Sequence, residues 1–360
     1  MIWLGTLWLA MMWLVFFVLI LSVVVFLLRR RGQPSRRARS APRTYPQDDP
    51  RQQVLESIEA MHGVTEGLRG KARVKALRDY MDSMSEGLDL VSEFRPATGN
   101  APPGEWVIAP GALPERRILY IHGGSWIAGS PKSHRAITDS LSVLARACVF
   151  AIDYRLMPEH RFMAGVSDCR RGYRWLLDNG PDGPEPARFM VVAGDSSGGS
   201  HTLSLLAWIR EQQLPAPDAA VALSPSTELM ITGLGDRPNI ESDPMLGPIV
   251  TKLAKMPAPV LWWGTLVGLR VLPTNPVASP LRGSLHNLPP TLIQVSEAEI
   301  LLDNARRYAD KARQAGSTVE LQTWPDMVHV WHLFTPLLPE ANEAFEAIQV
   351  FLERVERDRS

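Results

Sequence analysis

FMVVAGDSSGGSHTLSLLAWIR, residues 189–210, is the stretch that decides the fold. Its first five residues are apolar and suit a strand, and the residues from His201 onward suit a helix, so it predicts a strand, a tight turn and a helix. Ser196 lies at the apex of that turn, in the pattern Gly-x-Ser-x-Gly, where the flanking glycines leave room for strained backbone dihedrals. The pattern predicts Ser196 as a nucleophile, and a Gly/Ser-rich loop is the alternative.

An upstream glycine pair extends this interpretation. The apolar run RILYI, residues 117–121, predicts a buried strand and leads into HGGSW, residues 122–126. Consecutive glycines leave main-chain N–H groups free to donate to an oxyanion, so Gly123 and Gly124 are predicted donors, with the N–H of Ser197 as a third. An ordinary strand-to-loop turn would show the same glycines.

The two glycine motifs in this order resemble the hormone-sensitive-lipase family of α/β-hydrolases. DYRLMPEH, residues 153–160, and Ser224-Pro225 resemble further segments of that family, and the resemblance spans residues 106–354. It implies an α/β-hydrolase fold: a doubly wound, mostly parallel sheet with a helical cap. Two positions depart from the family pattern, because Ser125 replaces the usual third glycine and Ser197 replaces the common alanine.

A serine hydroxyl needs a base to become a nucleophile, and the base needs a carboxylate that fixes its tautomer. In this fold the chain order is serine, acid, histidine. The loop after the predicted strand 319–323 resembles the family's catalytic histidine loop and carries His329. His332, in a more apolar segment, is the competing candidate.

The acid is expected after the predicted strand 291–295. The family places its acid four residues before an aspartate that opens the next helix, and counting back from Asp303 implies Glu299. Glu297 is the alternative. Asp195, inside the predicted turn, is expected to be structural.

The resemblance implies a serine carboxylesterase or lipase that works through an acyl-enzyme. A lactone or amide hydrolase would use the same groups, and a non-catalytic small-molecule receptor can share the fold when triad members are lost. Ser196 and His329 are both present, which argues against a receptor.

The sequence contains no metal-binding His or Cys motif, so neither a metal nor another cofactor is expected. The 38 basic and 38 acidic residues balance, so no nucleic-acid partner is expected; the oligomeric state stays open.

Residues 1–28 contain no charged side chain and are almost wholly apolar, with Trp3, Trp8 and Trp13 in the first half. At about 1.5 Å per residue, a helix of this length exceeds the roughly 30 Å hydrocarbon core of a bilayer. The sequence therefore predicts a single-pass transmembrane helix that anchors the protein in a lipid bilayer. A cleaved signal peptide is the alternative, but no basic residue opens the segment and no small-residue cleavage pattern closes it.

The charges around that segment predict its orientation. No Lys or Arg precedes it, whereas seven arginines follow it: Arg29, Arg30, Arg31, Arg36, Arg37, Arg39 and Arg43. The positive-inside tendency then places the large domain in the cytoplasm. Residues 29–50 predict a basic, proline-rich tether that can approach anionic headgroups. Cys148 and Cys169 are expected to be reduced and buried, as suits a cytoplasmic domain.

Residues 51–360 are predicted to form one hydrolase domain. Strand patterns cover residues 105–109, 117–121, 148–153, 188–193, 219–223, 291–295 and 319–323, and helical patterns between them include 164–177 and 301–315. Segments 51–95 and 225–280 do not fit the sheet pattern and are predicted to form the cap. Five residues there would give the cap an apolar surface, namely Met245, Leu246, Leu261, Trp262 and Trp263. A hydrophobic cap beside a bilayer predicts lipophilic substrates.

Overall fold

One eight-stranded sheet organises the part of the chain that this computed structural model describes, residues 45–46, 48–229 and 239–359. The strands in chain order are β1 (Glu93–Pro96), β2 (Gly104–Ile108), β3 (Leu113–Ile121), β4 (Ala147–Ile152), the hairpin strands β5 (Asn179–Gly180) and β6 (Gly183–Pro184), β7 (Phe189–Asp195), β8 (Ala219–Leu223), β9 (Thr291–Ser296) and β10 (Val319–Trp324). The sheet order is β1-β2-β4-β3-β7-β8-β9-β10, with the hairpin outside it. β2 pairs antiparallel with both β1 and β4, and all other neighbouring strands pair parallel, which confirms the predicted mostly parallel sheet.

Helices cover both faces of the sheet. They are α1 (Pro50–Gly63), α2 (Gly70–Ser83), α3 (Arg135–Ala145), α4 (Phe162–Asp178), α5 (Ser196–Glu211), α6 (Gly247–Ala254), α7 (Ala258–Leu269), α8 (Leu302–Gln314) and α9 (Pro339–Arg359). Alternate residues of β3 point to opposite faces, as the pleat requires. Leu119 packs in the core with α4, α5 and α8, whereas Ile118 packs with α3 and α9. The sheet is therefore doubly wound, as predicted.

The seven predicted strands are all present, but the first strand of the sheet was missed. β1, Glu93–Pro96, includes the last three residues of the predicted cap segment 51–95 and pairs with β2 instead. This strand is four residues long, partly exposed and ends in proline, so it shows no apolar alternation in the sequence. β3 also starts four residues earlier than predicted, at Leu113, ahead of a register shift before Arg117.

α1, α2, α6 and α7 lie outside the sheet layers, and we call these helices, with residues 239–246 and 270–272, the cap. Val54 and Ile58 of α1 pack against Met327 and Val328, in the loop after β10. Val250 of α6 packs against Ile300, in the loop after β9. The cap thus covers the edge of the sheet where the parallel strands end.

The predicted transmembrane helix, residues 1–28, and the tether up to residue 44 lie outside the described residues. Within the described ranges, no helix is long and apolar enough to cross a bilayer. Cys148 in β4 and Cys169 in α4 are buried free thiols, as predicted.

Arg117 is a charged residue in the interior of β3, and its side chain is fully buried. Its guanidinium donates to three main-chain carbonyls, those of Pro114, Leu176 and Glu185, at 2.7–3.0 Å. The side chain therefore ties β3 to the end of α4 and to the loop that leads into β7. A buried carbonyl without a donor costs about 1–3 kcal/mol.

We expect Arg117→Leu to lower the free energy of unfolding by about 3 kcal/mol, because the three carbonyls lose their donor. Urea denaturation measures the change, and Arg306→Leu, on the exposed side of α8, serves as the matched control. Equal unfolding midpoints for the two variants would contradict the assignment.

Candidate active site

Ser196 occupies the sharp turn between β7 and α5. Its φ of 49° lies in the left-handed region, which is strained for a residue with a side chain. A Cβ atom at Gly198 would lie 2.0 Å from the carbonyl oxygen of Ile121, and one at Gly194 would lie 2.6 Å from it. The two glycines are therefore required sterically, which is the physical reason for the Gly-x-Ser-x-Gly spacing.

Three predicted side chains from three loops meet at this turn. Ser196 Oγ lies 2.8 Å from His329 Nε2, and His329 Nδ1 lies 2.5 Å from Glu299 Oε2. The sheet explains the meeting, because β7, β9 and β10 are parallel and their carboxyl ends lie at one edge. The three groups form one continuous hydrogen-bonded chain from hydroxyl to carboxylate.

The carboxylate of Glu299 is held from its other side as well. Its Oε1 accepts the N–H of Ser296 at 2.6 Å and the hydroxyl of Ser224 at 2.8 Å. The residue is 1% exposed, so solvent does not compete for these bonds. Glu297, the alternative acid, is exposed and instead accepts the hydroxyl of Thr323 at 3.0 Å.

His332, the competing histidine, points elsewhere. Its Nε2 lies 2.9 Å from Gln294 Oε1, and the ring is fully buried. Burial lowers the pKa of His332 to about 3, so the ring is neutral at physiological pH. The structure thus brings His329 and not His332 to the serine.

The pKa of His329 is raised above its usual value. Burial of the ring opposes protonation, but the hydrogen bond and the negative charge of Glu299 outweigh burial, with further attraction from Asp243 and Asp195. A raised pKa means that the neutral, basic form of the ring predominates only above that higher pKa. The imidazolium is the species that these carboxylates stabilise.

Asp243 is a carboxylate beside the triad that the sequence analysis missed. It lies in the cap, is 2% exposed, and accepts the N–H groups of Met245, Leu246 and Ile300. Asn239 Nδ2 donates to the carbonyl of Glu297 at 2.6 Å, and the hydroxyl of Ser242 donates to that of Ala298 at 2.8 Å. Residues 239–243 therefore hold the loop that carries Glu299 in place through hydrogen bonds. No pattern in the sequence indicates that this insertion folds back onto that loop.

The predicted oxyanion donors need one correction. The N–H of Gly123 donates to Asp195 Oδ1 at 2.9 Å, so this group is already committed. Among the described residues, the N–H groups of Gly124 and Ser125 have no acceptor. The N–H of Ser197 lies in the first turn of α5, where no intrahelical acceptor exists. The two available donors of the glycine loop are thus displaced by one residue from the prediction, whereas Ser197 is unchanged.

Asp195 explains this displacement. The carboxylate is buried and accepts the hydroxyl of Tyr120 at 2.6 Å in addition to the N–H of Gly123. The residue next to Ser196 therefore fixes the start of the glycine loop. These hydrogen bonds also remove Gly123 from the set of available donors.

The hydroxyl of Ser197 makes a second tie between the turn and the glycine loop. It accepts the N–H of Trp126 at 3.3 Å. Ser125 and Trp126 both have positive φ, at 56° and 62°, although neither is glycine. Alanine at position 197 would lack this acceptor. The two departures from the family pattern are therefore neighbours in space, because Ser197 bonds to the residue that follows Ser125.

A cleft of about 680 Å³ lies between the glycine loop and the cap. Its walls include Trp126, Met157 and Leu229 on one side and Val267 and Gly268 of α7 on the other. In the described ranges, no group of three His, Cys, Asp or Glu side chains is arranged to hold a metal ion.

Comparisons with known proteins agree with this geometry. A family model described as "alpha/beta hydrolase fold" matches residues 118–333. The chain is 39% identical over 248 residues to an acetyl-hydrolase of Streptomyces hygroscopicus, covering 69% of this chain and 78% of that protein. It is 35% identical over 248 residues to the carboxylesterase/phospholipase LipF of Mycobacterium tuberculosis, covering 68% of this chain and 64% of LipF.

A solved structure supports the same relationship. An esterase from the bacterial hormone-sensitive lipase family aligns with a TM-score of 0.73 and 33% identity, over 87% of this chain and 99% of that chain. The chain therefore belongs to the hormone-sensitive-lipase family of α/β-hydrolases and is an esterase- or lipase-type hydrolase.

Proposed function

We propose that this hydrolase cleaves carboxylic esters with Ser196 as nucleophile, His329 as base and Glu299 as the acid of the triad. The observation that carries the proposal is the unbroken hydrogen-bonded chain from Ser196 Oγ through the imidazole to the buried carboxylate. A hydroxyl in this arrangement can lose its proton to the ring at the moment of attack.

The reaction would follow in two halves. Ser196 Oγ attacks the carbonyl carbon while His329 Nε2 takes the hydroxyl proton, and the ring then gives that proton to the departing alcohol. Water attacks the acyl-enzyme while its proton passes to the same nitrogen; the second intermediate then collapses, the C–Oγ bond breaks, the ring returns the proton to Ser196 Oγ and the carboxylic acid is released. Glu299 stays ionised and stabilises the imidazolium in both halves.

The oxyanion of each tetrahedral intermediate would be bound by main-chain N–H groups of Gly124, Ser125 and Ser197. These donors are available in the resting structure, whereas the N–H of Gly123 is not. One such donor is worth about 3 kcal/mol in the transition state, so the shape of the glycine loop matters as much as the triad.

The substrates proposed are lipophilic esters, and the place of action is a bilayer. The uncharged apolar segment 1–28 would anchor the protein as a single-pass helix, and the arginines that follow it would keep the catalytic domain on the cytoplasmic side. An ester dissolved in the bilayer would then reach the cleft beside α7 over a short distance.

We expect Ser196→Ala to lower ester turnover by at least roughly 10⁴-fold, because no other group supplies the nucleophile. Turnover of a p-nitrophenyl ester and covalent labelling by a fluorophosphonate probe measure the effect. Ser204→Ala, on the same helix, should keep both signals. Labelling that persists in Ser196→Ala would show that another residue is the nucleophile.

We expect Glu299→Gln to lower kcat by about 10³–10⁴-fold, because the amide cannot stabilise the imidazolium. Since the carboxylate raises the pKa of His329, its loss lowers that pKa, and the acidic limb of the kcat/KM profile moves to lower pH. Glu297→Gln is the matched control and should change neither quantity. An acidic limb that moves only in Glu297→Gln would assign the role to the alternative acid.

We expect Ser197→Ala to lower kcat about five- to tenfold with little change in KM, because losing one hydrogen bond of about 1 kcal/mol loosens a loop that acts on the oxyanion. The loss should be smaller in a Ser125→Gly background, since glycine adopts the positive φ without strain. Steady-state kinetics of the four proteins measure this coupling. Unchanged kcat in Ser197→Ala would contradict the tie.

A further inference from the structure

The outer surface of the cap carries exposed apolar side chains on two neighbouring helices. We call this surface the outer cap face; its members are Ile249, Leu253, Met256, Val260, Trp263, Val267 and Leu272, which are 36–70% exposed. On α7 the exposed positions 260, 263 and 267 recur with helical spacing, so they form one stripe. The opposite sides of the helices face inward, because Val250 and Leu261 pack with Ile300.

The outer cap face differs from the surface of an ordinary helix. α7 reads APVLWWGTLVGL and contains no charged residue, although several of its residues face solvent. A surface helix normally places polar residues on its outer side, and a contiguous exposed apolar patch marks an interaction site. The partner must therefore offer an apolar environment to α7.

The charged residues within the segment that forms the outer cap face are all basic. Residues 244–272 contain Lys252, Lys255 and Arg270, which are exposed, and no Asp or Glu. Basic residues at the rim of an apolar, tryptophan-bearing surface match the anionic headgroups above a hydrocarbon layer. A second protein copy would present the same positive charge and would be repelled at this rim.

The N-terminal end of the described chain lies beside the cap. Tyr45 and α1 line a cavity together with residues 241–244 of the cap, and His62 Nε2 lies 3.2 Å from the carbonyl oxygen of Pro244. The apolar segment ends at residue 28, and residues 29–44 reach at most about 55 Å when fully extended. A bilayer holding residues 1–28 is therefore always within reach of the cap.

We propose that the outer cap face docks on the surface of an anionic phospholipid bilayer and that esters enter the cleft beside α7 directly from it, an inference that rests on the proposed hydrolysis of lipophilic esters. Val267 belongs both to the exposed stripe and to the wall of the cleft. Trp126, on the opposite wall, directly follows the donor loop. The cleft therefore has one wall at the exposed stripe and the other wall next to the donor loop.

A fluorescent label at Val260→Cys tests the docking independently of activity. The polarity-sensitive dye NBD is attached to the new cysteine of the 360-residue protein. The labelled protein is then reconstituted into phosphatidylcholine vesicles with and without phosphatidylglycerol. The native thiols are buried and compete little for the dye. Val350→Cys, an equally apolar and exposed site on α9, is the matched control.

With phosphatidylglycerol present, we expect a blue-shifted emission at position 260 that spin-labelled lipid quenches, and aqueous emission at position 350. Weaker quenching without the anionic lipid is expected from the basic rim. Aqueous emission at both positions overturns the proposal, and so does equal quenching at both. A blue shift that follows protein concentration in lipid-free detergent solution would also overturn it, because a second copy would then cover the face.

A second measurement separates this inference from the proposed function. We expect Val260→Ser with Trp263→Ser to lower the ratio of turnover on a long-chain ester in vesicles to turnover on a short soluble ester by at least about tenfold. Val350→Ser should keep the ratio. An unchanged ratio overturns the entry route, whereas a wild type that cleaves neither ester overturns the proposed function and leaves the label result standing.

Discussion

The hydrogen bond between the carboxylate of Glu299 and the imidazole of His329 is the contact on which the rest of the site depends. Both groups are almost completely buried, and burying a polar or charged group without a partner is costly. The carboxylate fixes which ring nitrogen faces Ser196, and two further donors, at Ser224 and Ser296, hold the carboxylate. These hydrogen bonds together hold the orientation of the ring.

The parallel sheet brings the residues of this contact together at one edge. Parallel strands end at a common edge, so residues far apart in the chain meet when each follows its own strand. The tight turn after β7 adds a local constraint, since Gly194 and Gly198 leave only hydrogen atoms where the chain approaches Ile121. The position of Ser196 is therefore fixed by sterics, and those of His329 and Glu299 are fixed by hydrogen bonds.

Much of this arrangement could be predicted from the sequence, because strand periodicity and glycine spacing are local properties. The parallel strands and the approach of Ser196, His329 and Glu299 follow from such patterns, with a family resemblance needed to choose among nearby acids. β1 was missed because its four residues carry no alternation. Gly123 was misassigned because its acceptor, Asp195, is distant in sequence, and Asp243 was missed because the packing of an insertion leaves no local signal.

Residues 239–243 join the cap to the loop that carries Glu299. The segment bonds to the carbonyls of Glu297 and Ala298 and to the N–H of Ile300, so it grips the acid's loop on both sides of Glu299. Replacing the cap of this protein by one without residues 239–243 would remove the amide, the hydroxyl and the carboxylate that bond to the loop of Glu299. Any change of the cap is therefore also a change in the support of the site.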